Sequence, residues 1–312
     1  MLGACHQATG FPITFRSRLL VRSRLFGHFG HSTLRLSMGF LDRVQAAMEK
    51  NNSLLCVGLD PSPDRFPAAI QSMEKSIFEF NKAIIDATAD LVCAYKPQAA
   101  YYHAHGAEDQ LAQTINYIRS HAPDIPVILD AKRGDIGSTA SQYAIEAFDR
   151  YQADAVTVNP YMGVDTIEPF TRYSDKGVVV LCRTSNPGAA AIQNLEVLNA
   201  DGNPAKLYEV MAKMCQNEWN GNNNLLLVVG ATNPDELKQI RNITGEMTFL
   251  VPGLGAQGGA VEATVRNGLN SEGKGIIVNS SRGIIYASNG DNFAEAARSA
   301  ALSLRDQVNQ YR

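Results

Sequence analysis

The segment Ile125-Pro126-Val127-Ile128-Leu129-Asp130-Ala131-Lys132-Arg133-Gly134-Asp135 sets two carboxylates and an ammonium at the end of an apolar run. Such a short, continuous run has the character of a strand buried on both faces. Side chains two apart on a strand share a face, so Asp130 and Lys132 are expected to point the same way. Asp135 lies just beyond, where the chain must leave the strand. Charged side chains are seldom fully buried unless paired. On spacing alone, two readings stand: a structural ion pair with a helix N-cap at Asp135, or a reactive acid–base–acid cluster.

Working outward, strand and helix signals alternate from residue 42 onward. Strands are expected at Leu54–Leu59, Leu91–Tyr95, Val127–Leu129, Ala155–Val158, Val178–Leu181, Leu225–Val229, Thr248–Val251 and Ile276–Val278. Between and after them the periodicity predicts helices at Glu74–Ala89, Glu108–His121, Thr139–Tyr151, Val164–Thr171, Ala205–Trp219, Pro234–Ile243, Ala260–Asn267, Arg282–Ala287 and Phe293–Val308. Eight apolar strands separated by helices indicate a parallel sheet covered on both faces. The α/β class follows, and the count fits a (β/α)8 TIM barrel, for which about 250 residues is typical. A doubly wound sheet would carry a glycine-rich turn after its first strand; this one ends in Leu59-Asp60-Pro61.

A barrel places its active site at the C-terminal strand ends. In order, those ends carry Asp60, Lys96, Asp130 with Lys132, Asn159, Thr184 with Ser185, Gly230, Pro252, and Asn279-Ser280-Ser281-Arg282. Polar groups recurring around one rim argue for a site. Barrels often bind phosphate with the loops after strands 7 and 8. The seventh loop here, from Val251 to Gly259, is glycine-rich, so that backbone N–H groups such as that of Gly258 can approach an anion. The eighth brings Arg282, whose fork can grip a phosphate bidentately.

Composition narrows the class. The 312 residues are 45% hydrophobic and 19% charged, as in ordinary globular proteins. A net charge of −3 gives no broad basic field for nucleic acid. No apolar run approaches the ~20 residues needed to cross a bilayer, so no membrane association is expected. The five cysteines, Cys5, Cys56, Cys93, Cys182 and Cys215, form no CxxC pair and read as free thiols in a reducing, cytoplasmic setting. Residues 1–37 contain five arginines and no acidic residue. They read as a non-catalytic leader, either a targeting peptide or sequence upstream of a start at Met38, with the barrel domain spanning 38–312. Without the leader's five arginines, 23 basic residues face 31 acidic ones, which makes a basic pocket the more informative.

The segment Asp130–Thr139, DAKRGDIGST, resembles the signature of the orotidine 5′-phosphate decarboxylase family, in the branch with Arg-Gly after the lysine. Four further segments agree: Cys56–Pro61, Tyr95–Gln98, Leu181–Pro187 and Val251–Gln257. The resemblance covers about residues 40–305. It implies cofactor-free conversion of orotidine 5′-phosphate to UMP and CO2, the last step of pyrimidine nucleotide synthesis, by a homodimer. It further implies that Lys132 protonates C6 and that Asp130 sits against the substrate carboxylate. Lys96 and Asp135 would complete an alternating Lys–Asp array, Asp135 arriving from the neighbouring subunit with Ile136 and Thr139. Asp60 would hold a ribose hydroxyl, Thr184 or Ser185 the pyrimidine, and Gln257 with Arg282 the phosphate, while Pro252 lines the pocket. No attached phosphoribosyltransferase domain is expected in residues 1–41.

The implied chemistry has a physical basis in these residue types. Loss of CO2 leaves negative charge at carbon, which an adjacent ammonium stabilises in a low-dielectric site. Carboxylates on either side favour the protonated lysine that a proton donor requires. One placed donor contributes ~3–4 kcal/mol, against more than ~20 for the largest enzymatic accelerations, so phosphate binding energy must also reach the transition state. Gly253–Gly259 is the expected lid.

Two rival readings differ in kind. A metal-dependent keto-sugar-phosphate decarboxylase needs a carboxylate at the second strand end, where this chain has Lys96. A non-catalytic barrel should have lost Lys132 or its acids, and all are present. His103 and His105 read as loop residues, Trp219 as packing, and Gln98 shares the Lys96 face. The stretch Asn186–Pro204 reads as an insertion, either surface loop or pocket wall.

Overall fold

A computed structural model describes residues 38–254 and 258–312, without the side chains at 258 and 259. Eight parallel strands form one sheet: β1 Leu55–Leu59, β2 Ala94–Pro97, β3 Ile128–Arg133, β4 Ala155–Val158, β5 Gly177–Arg183, β6 Leu225–Val229, β7 Phe249–Pro252 and β8 Ile276–Ser280. Their spatial order is β2-β1-β8-β7-β6-β5-β4-β3. Parallel bridges Tyr95–Val127 and Gln98–Asp130 join β2 to β3 and close the ring. This is the (β/α)8 barrel that the alternation predicts. All five residues of β1 and all five of β6 are buried, because side chains on one face fill the barrel and those on the other meet the helices.

The helix Phe40–Lys50 buries Phe40, Val44, Ala47 and Met48. Phe40 packs where Gly177 opens β5: a Cβ on Gly177 would stand 2.3 Å from the Phe40 ring. Arg43 pairs with the buried Asp154, which also accepts from Val127 N at 2.9 Å. These contacts lie at the strand starts, opposite the rim that carries the polar residues.

Several boundaries differ from expectation for local reasons. The second strand begins at Ala94 and runs through Pro97, placing Lys96 inside the sheet rather than after it. Residues 204–206 pair with 196–198 in a short antiparallel hairpin, so the following helix begins at Leu207 and not at Ala205. The stretch 164–171 divides into a 3-10 turn, Val164–Thr166, and one helical turn, Glu168–Thr171, with a proline at the start of the second. The helix after β3 opens at Gly137. Trp219 is buried in the core, as a packing residue should be.

Candidate active site

Strand β3 is not regular where it matters. Its pairing with β4 shifts between Leu129 and Arg133, and Lys132 adopts φ +47°. A left-handed lysine is uncommon and persists only where its surroundings hold it. Simple alternation therefore does not govern Asp130 and Lys132. The two nonetheless meet, Lys132 Nζ donating to Asp130 Oδ1 at 2.6 Å. The Lys132 main chain is held from β4, its N–H donating to Thr157 Oγ1 at 2.9 Å.

Asp130 is the hub. Its Oδ1 also accepts from the Thr157 hydroxyl at 2.9 Å. Its Oδ2 accepts from Lys96 Nζ at 2.7 Å and Gln98 Nε2 at 3.0 Å. Asp130 is 6% exposed and Lys96 4%. Burial works to raise the Asp130 carboxyl, but Lys96 and Lys132 outweigh it and hold the group below the usual carboxylate range. Burial likewise works to lower Lys96, and Asp130 with Asp60 overcomes it, so the ammonium is held above its ordinary value. Asp60 Oδ1 lies 4.0 Å from Lys96 Nζ, buried and without a hydrogen-bond partner among the described residues.

These groups line a cavity of about 640 Å³ at the barrel mouth. Asp60, Lys96, Asp130, Lys132, Thr184, Ser185 and Pro252 all reach it. So do Asn159 and Asn279, from the ends of β4 and β8. Two glycines allow close approach there. A Cβ on Gly58 would meet Ser281 Oγ at 1.8 Å, and one on Gly230 would meet Ser185 Cβ at 2.8 Å. A second hollow of about 700 Å³ shares Asp60, Asn279 and Ser281 with the first and adds Arg65, Gly253 and Arg282. The Arg65 guanidinium lies 3.9 Å from the Tyr286 ring centroid. The Tyr286 hydroxyl donates to Asp60 O at 2.9 Å, tying this hollow to the end of β1.

Other expected site residues are not in the cavity of a single chain. Asp135 lies in the turn after β3, its Oδ1 accepting from Ile136 N at 2.8 Å. Ile136 is 58% exposed, and Thr139 is exposed on the helix Gly137–Ile145. Gly258 opens the helix Gly258–Gly268, and Gln257 lies outside the described residues, as does most of the expected lid beyond Leu254.

Thr157 and Gln193 at the main cavity, and Arg65 at the second hollow, are not singled out by the sequence pattern. Thr157 left a signal, being the one polar residue in the apolar run Ala155–Val158. Gln193 left none. It reaches the cavity because the stretch after β5 folds back as the helical turn Ala190–Gln193 and forms part of the pocket wall.

A buried lysine–carboxylate centre at the mouth of a parallel barrel, beside a hollow with two arginines, defines a (β/α)8 barrel enzyme for an anionic substrate. Residues 53–298 match the model of the orotidine 5′-phosphate decarboxylase / HUMPS family, and the chain belongs to that family. It is 59% identical over 274 residues to the orotidine 5′-phosphate decarboxylase of Cellvibrio japonicus, covering 87% of this chain and 98% of that protein. It is 57% identical over 275 residues to that of Azoarcus sp. (strain BH72), covering 88% and 100%. The structure of Leishmania donovani OMP decarboxylase superposes with a TM-score of 0.74 at 38% identity, covering 88% of this chain and 98% of that one.

Proposed function

We propose that the cavity performs the reaction for which those relatives are named. The enzyme is a carboxy-lyase that converts orotidine 5′-phosphate to UMP and CO2. The observation that carries this reading is Asp130, buried and ionised between Lys96 and Lys132.

In this reading the bond from C6 to the carboxylate breaks with its electron pair left on C6. CO2 departs beside Asp130, and the Lys132 ammonium gives its proton to C6; the resulting amine recovers one from water. Lys132 suits the part because its side chain is 47% exposed, open to the cavity, whereas Lys96 is enclosed and serves to keep Asp130 ionised. Asp60 Oδ1, which has no hydrogen-bond partner among the described residues, takes a ribose hydroxyl. Thr184 or Ser185 faces the pyrimidine, and Pro252 lines the pocket. Arg282, with Gln257 and the Gly258 amide, holds the phosphate. The placement of Asp135, Ile136 and Thr139 outside their own chain's cavity supports a homodimer in which they complete the neighbouring site. A keto-sugar-phosphate decarboxylase is disfavoured because Lys96, not an acid, occupies the second strand end.

Residues 1–37 serve as a leader outside the catalytic domain; the family match, which falls wholly within 38–312, supports this. Among the described residues no helix is long and apolar enough to cross a membrane. Cys56, Cys93, Cys182 and Cys215 are buried free thiols, which supports a reducing cytoplasm as the compartment.

The test is loss of the orotate ultraviolet absorbance when chelator-treated protein meets orotidine 5′-phosphate, with Lys132→Ala alongside. Turnover by the wild type and none by the variant is expected. No turnover by folded wild type rejects the reading.

A further inference from the structure

The stretch after β5 does more than wall the cavity. Gln193 turns back onto Thr184 and meets it with both ends of its amide: Oε1 accepts from Thr184 N at 2.9 Å, and Nε2 donates to Thr184 Oγ1 at 2.9 Å. The same Oε1 accepts from Arg183 Nη1 at 3.3 Å, and that nitrogen also donates to Thr184 O at 2.7 Å. Arg183 is in turn buried and paired with Glu236, Nε to Oε2, at 2.7 Å. The main chain at 183–184 is thus gripped on both its N–H and its carbonyl side.

This grip decides which hydroxyl is left for a ligand. Thr184 Oγ1 accepts from Gln193 and donates its proton to Asn186 Oδ1 at 2.6 Å. It has no proton left to give. The neighbouring Ser185 lines the same cavity, and its hydroxyl makes no hydrogen bond among the described residues. Gly230 backs it on the other side, where a Cβ would press within 3.0 Å of Ser185 N. A serine whose main chain is clamped on one side and butted against a glycine on the other has little freedom to wander.

We propose that Gln193 is a positioning residue: acting through Thr184, it fixes Ser185 at the edge of the pyrimidine. The inference rests on the decarboxylase reading and narrows the pyrimidine contact to Ser185. A misplacement of about 1 Å at such a contact is enough to cost substantial rate.

The test compares two inhibitors, UMP and ribose 5-phosphate, which lacks the base, on wild type and Gln193→Met. The clamp acts only on the base side. The variant should therefore weaken UMP by about tenfold, the value of one or two hydrogen bonds, and leave ribose 5-phosphate unchanged. Because Gln193 acts through Thr184, the double variant with Thr184→Val should lose no more UMP affinity than the worse single variant. Should Gln193→Met fold poorly, Gln193→Ala carries the same comparison. Unchanged UMP affinity, equal weakening of both inhibitors, or additive losses would each overturn the proposal. Wild type that neither turns over orotidine 5′-phosphate nor binds UMP would instead mark failure of the decarboxylase reading itself.

Discussion

Lys132 hangs its main chain on Thr157: the lysine N–H donates to the threonine Oγ1 at 2.9 Å, across from β3 to β4. The same hydroxyl passes its own proton to Asp130 Oδ1. One oxygen thus holds both the lysine's left-handed backbone at φ +47° and the carboxylate that its ammonium meets. Because β3 slips its register here, the sheet's own ladder does not supply that support.

Thr157→Val keeps the shape and removes both bonds. It leaves a buried acceptor and a main-chain N–H short of a partner, a cost of about 1–3 kcal/mol. Lys132 should then drift, and kcat should fall by roughly 10- to 100-fold. Thr157→Ser should stay near wild type in both respects. Steady-state kinetics beside thermal melts would check this, and a fully active valine variant would refute the assigned support.

The two lysines on Asp130 should separate stability from catalysis. Lys96→Met strips the enclosed partner from a buried carboxylate, and breaking a buried pair in that way costs about 3–5 kcal/mol. Lys132→Met removes a half-exposed partner, so its stability cost should be small, while its activity should vanish. Urea unfolding and turnover of both variants give the answer. A large stability loss on Lys132→Met with retained activity would reverse the roles.

The charges of the centre also fix a pH window. Asp130 is held below its ordinary range, so its contribution to stability is fully present above the unfolded value near ~3.9 and is lost as pH falls through the folded value. Lys96 is held above its ordinary range, so its contribution is fully present below ~10.4 and is lost as pH rises through the folded value. Unfolding free energies of wild type and the double variant Lys96→Met/Asp130→Asn should differ by a constant between about pH 4 and 10. The gap should narrow on both flanks. A step near neutral pH would show that a different group titrates with the pair.

What was legible in the sequence follows from how local each feature is. Eight apolar runs at helix-bearing spacing specify the barrel, and Ala155–Val158 and Leu225–Val229 are strands at the very residues expected. Rim position follows from strand ends, so Asp60, Lys96, Asp130 and Lys132 could be grouped before any fold was seen. The left-handed turn at Lys132 could not, since nothing in Ala131-Lys132-Arg133 marks a bulge and no glycine stands at the positive φ. The hairpin 196–206 was hidden in a polar stretch, and with it the return of Gln193 to Thr184, a contact made by tertiary folding alone. Asp135 shows the limit from the other side. Its motif is plain, yet its proposed partner lies on a second chain.

That shared arrangement gives a decisive prediction. Asp135 sits in a turn with its carboxylate on the neighbouring Ile136 N–H, and it lines neither hollow of its own barrel. If it serves the neighbouring subunit, Asp135→Ala and Lys132→Ala proteins should each be nearly inactive alone. After subunit exchange, a mixed dimer pairs the intact Lys132 of one chain with the intact Asp135 of the other in one site, and carries both lesions in the second site. Random exchange makes about half of the dimers mixed, each with one good site of two, so about a quarter of wild-type activity should return. Exchange is followed independently by mass-tagging one variant. Recovery near that fraction establishes a site built from two chains. Proven exchange without recovery would mean that Asp135 and Lys132 serve the site of one chain, and would overturn the shared site.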